Sequence, residues 1–328
     1  MIWGFDFSAD AAASLLDPGD ADAEGHALFP SATPPGTFRW LHLNITDQTS
    51  CRWIEGLDEM PALVRDLLLS PDTHQRALVD IDVVACVLHD VEVDFGKGET
   101  ARMGALRFAL SGRMMVTARH HPLYAADVVK RRIDTGLRPK GPAEALDLLV
   151  SGILQVAGKS AVSLATTVQT SEDALLADGW QPDQRALVAV RRKAVQLHRQ
   201  LSGIRAVLQR LEEDEELPAA LLPAVERLSQ RAASLDGDVL STQTDLRLLR
   251  DELDLQATQR TNRNLYVLSI LSALLLPATL VTGFFGMNTG GLPLATSPWG
   301  TFIAGVIALG SAAAVFVWLR RQGFLGGE

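Results

Sequence analysis

Two stretches decide the fold: Asn264–Phe285, NLYVLSILSALLLPATLVTGFF, and Trp299–Leu319, WGTFIAGVIALGSAAAVFVWL. Neither holds an Asp, Glu, Lys or Arg, and neither does the Gly-, Pro-, Ser- and Thr-bearing link Gly286–Pro298 between them. As a helix the first, with 22 residues, would be roughly 33 Å long, against about 30 Å of bilayer hydrocarbon. The second has 21 residues. The pattern predicts two membrane-spanning helices near the C-terminal end. Basic residues flank only their outer ends, Arg260 and Arg263 before the first, Arg320 and Arg321 after the second. Lys and Arg are retained on the cytoplasmic side, so both chain ends are expected in the cytoplasm and the link outside. Trp299 and Trp318 sit at the two ends of the second span, where interfacial anchors belong.

Working back from the first span, apolar or small residues recur at Val225, Leu228, Ala232, Leu235, Val239, Thr242, Leu246, Leu249 and Leu253. Their steps alternate three and four, the repeat of a coiled-coil seam. No proline lies between Pro223 and Pro277, so one helix from about Ala224 to Gly283 would be on the order of 90 Å long. Such a helix needs partners, either hairpin neighbours or copies of itself. Helical spacing also marks Ala125–Ile133, Pro142–Leu176 and Asp183–Glu213, the last ended by acidic Glu212–Glu216 and Pro218. Within it, Arg191, Arg192 and Lys193 read as partners for acidic neighbours such as the first domain's surface, with lipid or nucleotide as the other reading.

The first part of the chain reads differently. Phe38–Ile45 alternates, Leu41, Leu43 and Ile45 against Trp40, His42 and Asn44, which predicts a strand. Leu78–Asp94 predicts one or two more strands, and Ala105–Leu110 with Arg113–Arg119 predicts a hairpin turned at Ser111-Gly112. Asp58–Leu69 has helical spacing, and residues 9–37, rich in Ala, Asp, Gly and Pro, read as a loop. The expected fold class is α+β. A mixed α/β domain covers 1–140, a helical stalk region covers 141–260, and a transmembrane region covers 261–328.

Charge is uneven. Residues 1–100 hold 18 acidic and 5 basic side chains, within a chain of formal net charge −9. Such a surface repels nucleic acid and gathers cations, or simply keeps the domain soluble. Cys51 and Cys86 form no CxxC pair and are expected to be buried free thiols in a reducing compartment. Met1–Ser8 lacks a basic segment followed by an apolar one, so no signal peptide is expected.

The two spans differ in character. The second is lipid-facing in type, with Phe302, Ile303, Val306, Ile307, Leu309, Val315 and Phe316. The first carries small or polar residues at Asn262, Ser269, Ser272, Thr279 and Gly283, whole turns apart. A polar stripe in a membrane faces protein or water. Helix packing in a dimer is one use for it. Closure of several copies round a watery axis is the other, and two helices per chain cannot enclose a path alone.

Residues 261–293, TNRNLYVLSILSALLLPATLVTGFFGMNTGGLP, resemble the CorA family of divalent-cation transporters. The resemblance is carried by Gly286-Met287-Asn288 after the first span, Pro277 and Thr279 within it, and Asn262 at its start. The uncharged continuation Thr289–Pro293, and LRFALSGRMMVTARHHPL at 106–123, look like the family's ZntB-like zinc-transporter branch. The resemblance implies a homopentamer in the bacterial inner (plasma) membrane, transporting Zn2+, with Mg2+, Co2+, Ni2+ or Cd2+ as alternatives, and no bound cofactor or nucleic-acid partner. It implies an outer selectivity ring of Gly286, Met287 and Asn288. The pore lining it implies is Asn262, Leu265, Leu268, Ser269, Ser272, Leu276, Thr279 and Gly283, with Leu265 and Leu268 as the apolar constriction. The family's zinc branch is associated with proton-coupled transport.

From Asn264 to Leu319 there is no acidic residue and no His. A stripped zinc ion takes His, Cys or carboxylate ligands, so the spans fit an ion that keeps its water shell. His120 and His121 follow a predicted strand and are weak candidates for a metal site with Glu92 or Asp94; a plain surface pair is the simpler reading. No nucleophile–base set, phosphate loop or metal-ligand motif marks an enzyme. A membrane-anchored oligomeric sensor or scaffold is a further reading, one that has no use for Asn288.

Overall fold

Alternating aromatic and small residues open the chain, and they form the sheet's second strand in space. The computed structural model describes residues 1–8, 13–16, 33, 35–94, 98–176, 184–287, 293 and 298–322. Strands β1 (Trp3–Ser8), β2 (Ser14–Leu15), β3 (Thr37–Asn44), β4 (Arg76–Asp80), β5 (Val83–Asp94), β6 (Gly98–Leu110) and β7 (Met114–Arg119) form one sheet in the order β2-β1-β3-β7-β6-β5-β4. Only β3 and β7 pair in parallel; the other neighbours are antiparallel. The β4–β5 turn places both Ile81 (φ 46°) and Asp82 (φ 61°) in the left-handed region, as a two-residue hairpin turn requires.

Helices cover both faces of the sheet. Under α1 (Gln48–Glu55) and α2 (Ala62–Leu69), the chain buries Ile54, Leu57, Val64 and Leu68 against Leu41, Leu43, Val83, Ala85, Val87 and Val116. Asp47 starts α1 by accepting the Thr49 amide at 3.1 Å, an N-cap. The other face carries Trp3, Phe5, Trp40, His42, Thr117 and Phe108, and is covered by α3 (Tyr124–Asp134), α4 (Pro142–Leu176) and α5 (Gln184–Glu212). Hence the two residue sets of β3, expected on contrasting faces, are both buried as far as His42 and Leu43. Asp90, at the end of that second face, accepts the Ala125 amide at 2.7 Å and so anchors the start of α3.

The predicted long helix is α6 (Leu222–Phe285), 64 residues, continuous through Pro277. Its seam residues Val225, Leu228, Ala232, Val239, Thr242, Leu246 and Leu249 are buried, and the partners are hairpin neighbours within the same chain. Arg227 pairs with Asp147 of α4 at 3.1 Å, and Arg231 reaches Ser151 of α4 at 3.3 Å. Asp236 meets His198 of α5 at 2.7 Å, and Gln243 donates to the Ala194 carbonyl of α5 at 3.0 Å. The chain divides into two compact units, Met1–Leu249 and Arg250–Glu328. The second holds the rest of α6 and α7 (Gly300–Arg321).

Three elements, β1, β2 and α1, lie outside the sequence reading. β1 was concealed by its place at the very start, although Trp3, Phe5 and Phe7 alternate, and α1 is too short to show a periodicity. Within the stretch read as loop, Ser14–Leu15 pairs with β1. Cys86 is buried and free, and burial raises its thiol pKa; Cys51, also free, is partly exposed, contrary to expectation. It sits at the open edge of α1, where its thiol donates to the Ile45 carbonyl at 3.4 Å.

Candidate ion-conduction stripe

Helix geometry turns the predicted site residues into a line. Asn262, Leu265, Ser269, Ser272, Leu276, Thr279 and Gly283 follow one another in alternating steps of three and four along α6. Leu268 lies about 70° round the helix from that line, at 100° per residue, so it flanks the stripe. Every one of these side chains is exposed on the single chain. They stand among equally bare apolar neighbours, Leu271, Leu275 and Leu280. Gly283 has nothing within 4 Å of where a Cβ would be, so its smallness is not required by its own chain.

The stripe's hydroxyls have a defined polarity. Ser269 donates its proton to the Leu265 carbonyl at 2.8 Å, and Thr279 donates to the Leu275 carbonyl at 2.9 Å. With their protons committed to the helix, both oxygens are left as acceptors. Pro277 has no amide hydrogen, so the Ala273 carbonyl lacks its helical donor. Waters around a cation turn their hydrogens outward, and a row of acceptors suits them.

At its C-terminal end α6 closes with Gly286 donating to the Thr282 carbonyl at 2.9 Å and Met287 to the Phe284 carbonyl at 3.4 Å. A Cβ at residue 286 would stand 2.9 Å from that Thr282 oxygen, which is why glycine occupies the turn. The unpaired carbonyls of the last turn give this end partial negative charge, attractive to cations. Gly286 and Met287 thus sit directly past the helix; Asn288 lies outside the described residues.

The first unit offers less. His120 and His121 are exposed beyond β7, and among the described residues no group of three or more His, Cys, Asp or Glu is placed to hold a metal ion. Partial burial, with the charge of Arg107, lowers the His120 pKa. The residue that sequence reading passed over is Asp90. Burial pushes its pKa up to about 7, although the Ala125 and Val91 amides oppose the shift, and its Oδ1 has no hydrogen-bond partner. Nothing in the local sequence marks it, because its burial is created by α3.

Among the described residues, three helices are long and apolar enough to cross a membrane: Pro142–Leu175, α6 and α7. The apolar window of α4 is 56% buried inside its own unit, against 0% for α6 and 11% for α7. A bare apolar helix with a polar stripe, followed by a second bare apolar helix, is the pair of spans that a membrane transporter assembled from several copies would present. The chain belongs to the family described as CorA-like Mg2+ transporter protein, which matches residues 35–321. It is similar to the zinc transport protein ZntB of Yersinia pestis, 26% identical over 302 residues covering 90% of this chain and 89% of that protein. It is also 26% identical over 292 residues to the divalent cation transporter CmaX of Pseudomonas aeruginosa, covering 86% of each. The solved structure of full-length CmaX superposes with a TM-score of 0.79 at 22% identity, covering 98% of this chain and 97% of that one, and shares the fold.

Proposed function

We propose that this chain moves divalent cations, zinc foremost, through a homopentameric pore that passes them with their water shells in place. The carrying observation is the exposed line along α6 in which the acceptors Ser269 and Thr279 alternate with small and apolar residues, in a span with no carboxylate or imidazole to strip the ion. Asn262 forms the inner polar ring, Leu265 and Leu268 the dry constriction. Ser269, Ser272, Leu276, Thr279 and Gly283 line the middle, and Gly286, Met287 and Asn288 select at the outer mouth. The uncharged outer link and the ZntB relative favour zinc. The acidic first hundred residues concentrate cations at the cytoplasmic side of a multi-pass inner-membrane protein with both ends cytoplasmic. Residues 1–140, 141–260 and 261–328 divide the work into domain, stalk and pore, with no catalytic step. Proton coupling runs through water, the soluble domain or the ion's own hydration, since the spans hold no acidic residue and no His.

The family description favours a second reading, a magnesium channel of the same build, for which cobalt is the alternative ion. Purified protein in vesicles loaded with a zinc-sensitive dye separates the two. Zinc entry that Asn288→Ala reduces about tenfold or more, and that excess Mg2+ does not suppress, supports the first. Entry indifferent to Asn288→Ala removes the selectivity assignment. Native mass measurement decides the subunit count, and a monomer would defeat the pore.

A further inference from the structure

Helix α5 carries seven basic residues, Arg185, Arg191, Arg192, Lys193, Arg199, Arg205 and Arg210, against one acidic residue, Glu212. All seven are exposed, in a chain of formal net charge −9. Arg185, Arg192 and Arg199 recur every seventh residue and so form a line, on the side away from buried Ala194, Leu197 and Leu201. Among the described residues, none of Arg191, Arg192, Lys193, Arg199, Arg205 and Arg210 makes an ion pair within the chain. Among the described residues of one subunit, therefore, the expectation that 191–193 would find acidic partners is not met. Like charges crowded on one helix repel, and an external counter-charge relieves them.

The counter-charge lies across the sheet. Around α1 and α2, Asp47, Glu55, Asp58, Glu59 and Asp66 are all exposed, with Arg52 and Arg65 as the only basic residues from 47 to 69. These helices cover one face of the sheet and α5 the other. One unit thus presents a cationic side and an anionic side, back to back. A cationic patch cannot match its own copy, so a two-fold contact through α5 is disfavoured. Two unlike patches on opposite sides fit head-to-tail association, which closes into a ring when the rotation from copy to copy completes a circle. An anionic polymer is a poorer partner, since the net acidic charge repels it.

We propose that the basic face of α5 docks on the acidic α1–α2 face of the next copy of this chain, a lateral contact of the soluble units within the ring. The inference rests on the homo-oligomeric reading above. The test uses the full chain in lipid nanodiscs, following the temperature at which the assembly dissociates, by native mass measurement at low and high salt. R192E/R199E is expected to lower that temperature by several degrees and to abolish its fall with added salt. E59R/D66R alone should do the same, and the chain carrying all four reversals should recover wild-type behaviour. These positions are exposed, and circular dichroism of each variant confirms its fold. An assembly indifferent to R192E/R199E overturns the docking, and so does a four-fold variant that fails to recover. A wild-type chain that is monomeric throughout defeats the oligomeric reading itself; a stable ring blind to charge reversal defeats only this contact.

Discussion

Helix α4 and the outer part of α6 look alike as strings: long, apolar and able to span a bilayer. Their surroundings differ. α4 buries Leu146, Leu149, Val150, Ile153 and Leu154 against protein, whereas Leu265, Leu271, Leu276 and Leu280 of α6 touch no protein that could dry them. Apolar residues need a non-aqueous solvent, and the chain's own interior supplies it in one case and lipid or other copies in the other. Apolarity states the need; only packing states who meets it. The charges on α4, Glu144, Asp147, Lys159, Glu172 and Asp173, are the trace of this in the sequence, because a protein-packed helix keeps a wet side.

The sharpest way to break the contrast is to put the same carboxylate in both places. Ile153→Asp should unfold the first unit, costing about 4 kcal/mol or more, because a charge enters a dry core. Leu280→Asp should leave the thermal unfolding of that unit unchanged, and instead cost about 3 kcal/mol in a membrane-insertion assay. Equal effects of both on unfolding would erase the distinction.

A second test concerns titration in the protein-packed region. The folded pKa of Asp90 stands near 7, above its unfolded value, so the folded state holds the proton more tightly. That contribution to stability is complete below the unfolded pKa, about 4, and is lost as pH rises through 7. From pH 5 to pH 8 the wild type should lose about 2–3 kcal/mol relative to Asp90→Asn, read as the difference between their unfolding curves. A pH-independent difference would show that Asp90 does not titrate there.

Smaller effects test the ties of α6 to its neighbours. His198→Ala leaves the buried Asp236 carboxylate without its 2.7 Å partner and should cost about 1–3 kcal/mol in denaturant unfolding. Smallest is a gain. Ile81 is β-branched, exposed, and held at φ 46°, a conformation that glycine adopts without strain. Ile81→Gly should stabilise the first unit by about 1 kcal/mol, and a loss of similar size would show that the isoleucine packs usefully.

Long helices were legible in the sequence because each repeats its signal over many turns. α4 spans the residues its spacing marked, and α5, α6 and α7 end within two residues of expectation. The strand pairs around Leu78–Asp94 and Ala105–Arg119 were legible as alternation, but not the parallel pairing of β3 with β7, which depends on no local pattern. Of the candidate site, the stripe's positions could be read from spacing. The acceptor polarity of Ser269 and Thr279 could not, since it depends on where each hydroxyl proton goes. Leu268, named by resemblance, lies in the same turn and flanks the line, so spacing alone would not have singled it out.

That parallel pairing also orders events during synthesis. β3 can hydrogen-bond to β7 only after residue 119 has left the ribosome, so the aromatic hairpin of β1 and β3 waits with one edge open. β4 to β7, by contrast, close as successive antiparallel neighbours as soon as each appears. The nascent sheet is therefore closed last in its middle, at the β3–β7 seam, and that closure is possible long before Asn264 is translated. Trp3, Phe5 and Trp40 thus stay uncovered until the helices that bury them have been made, and the apolar spans emerge only after that.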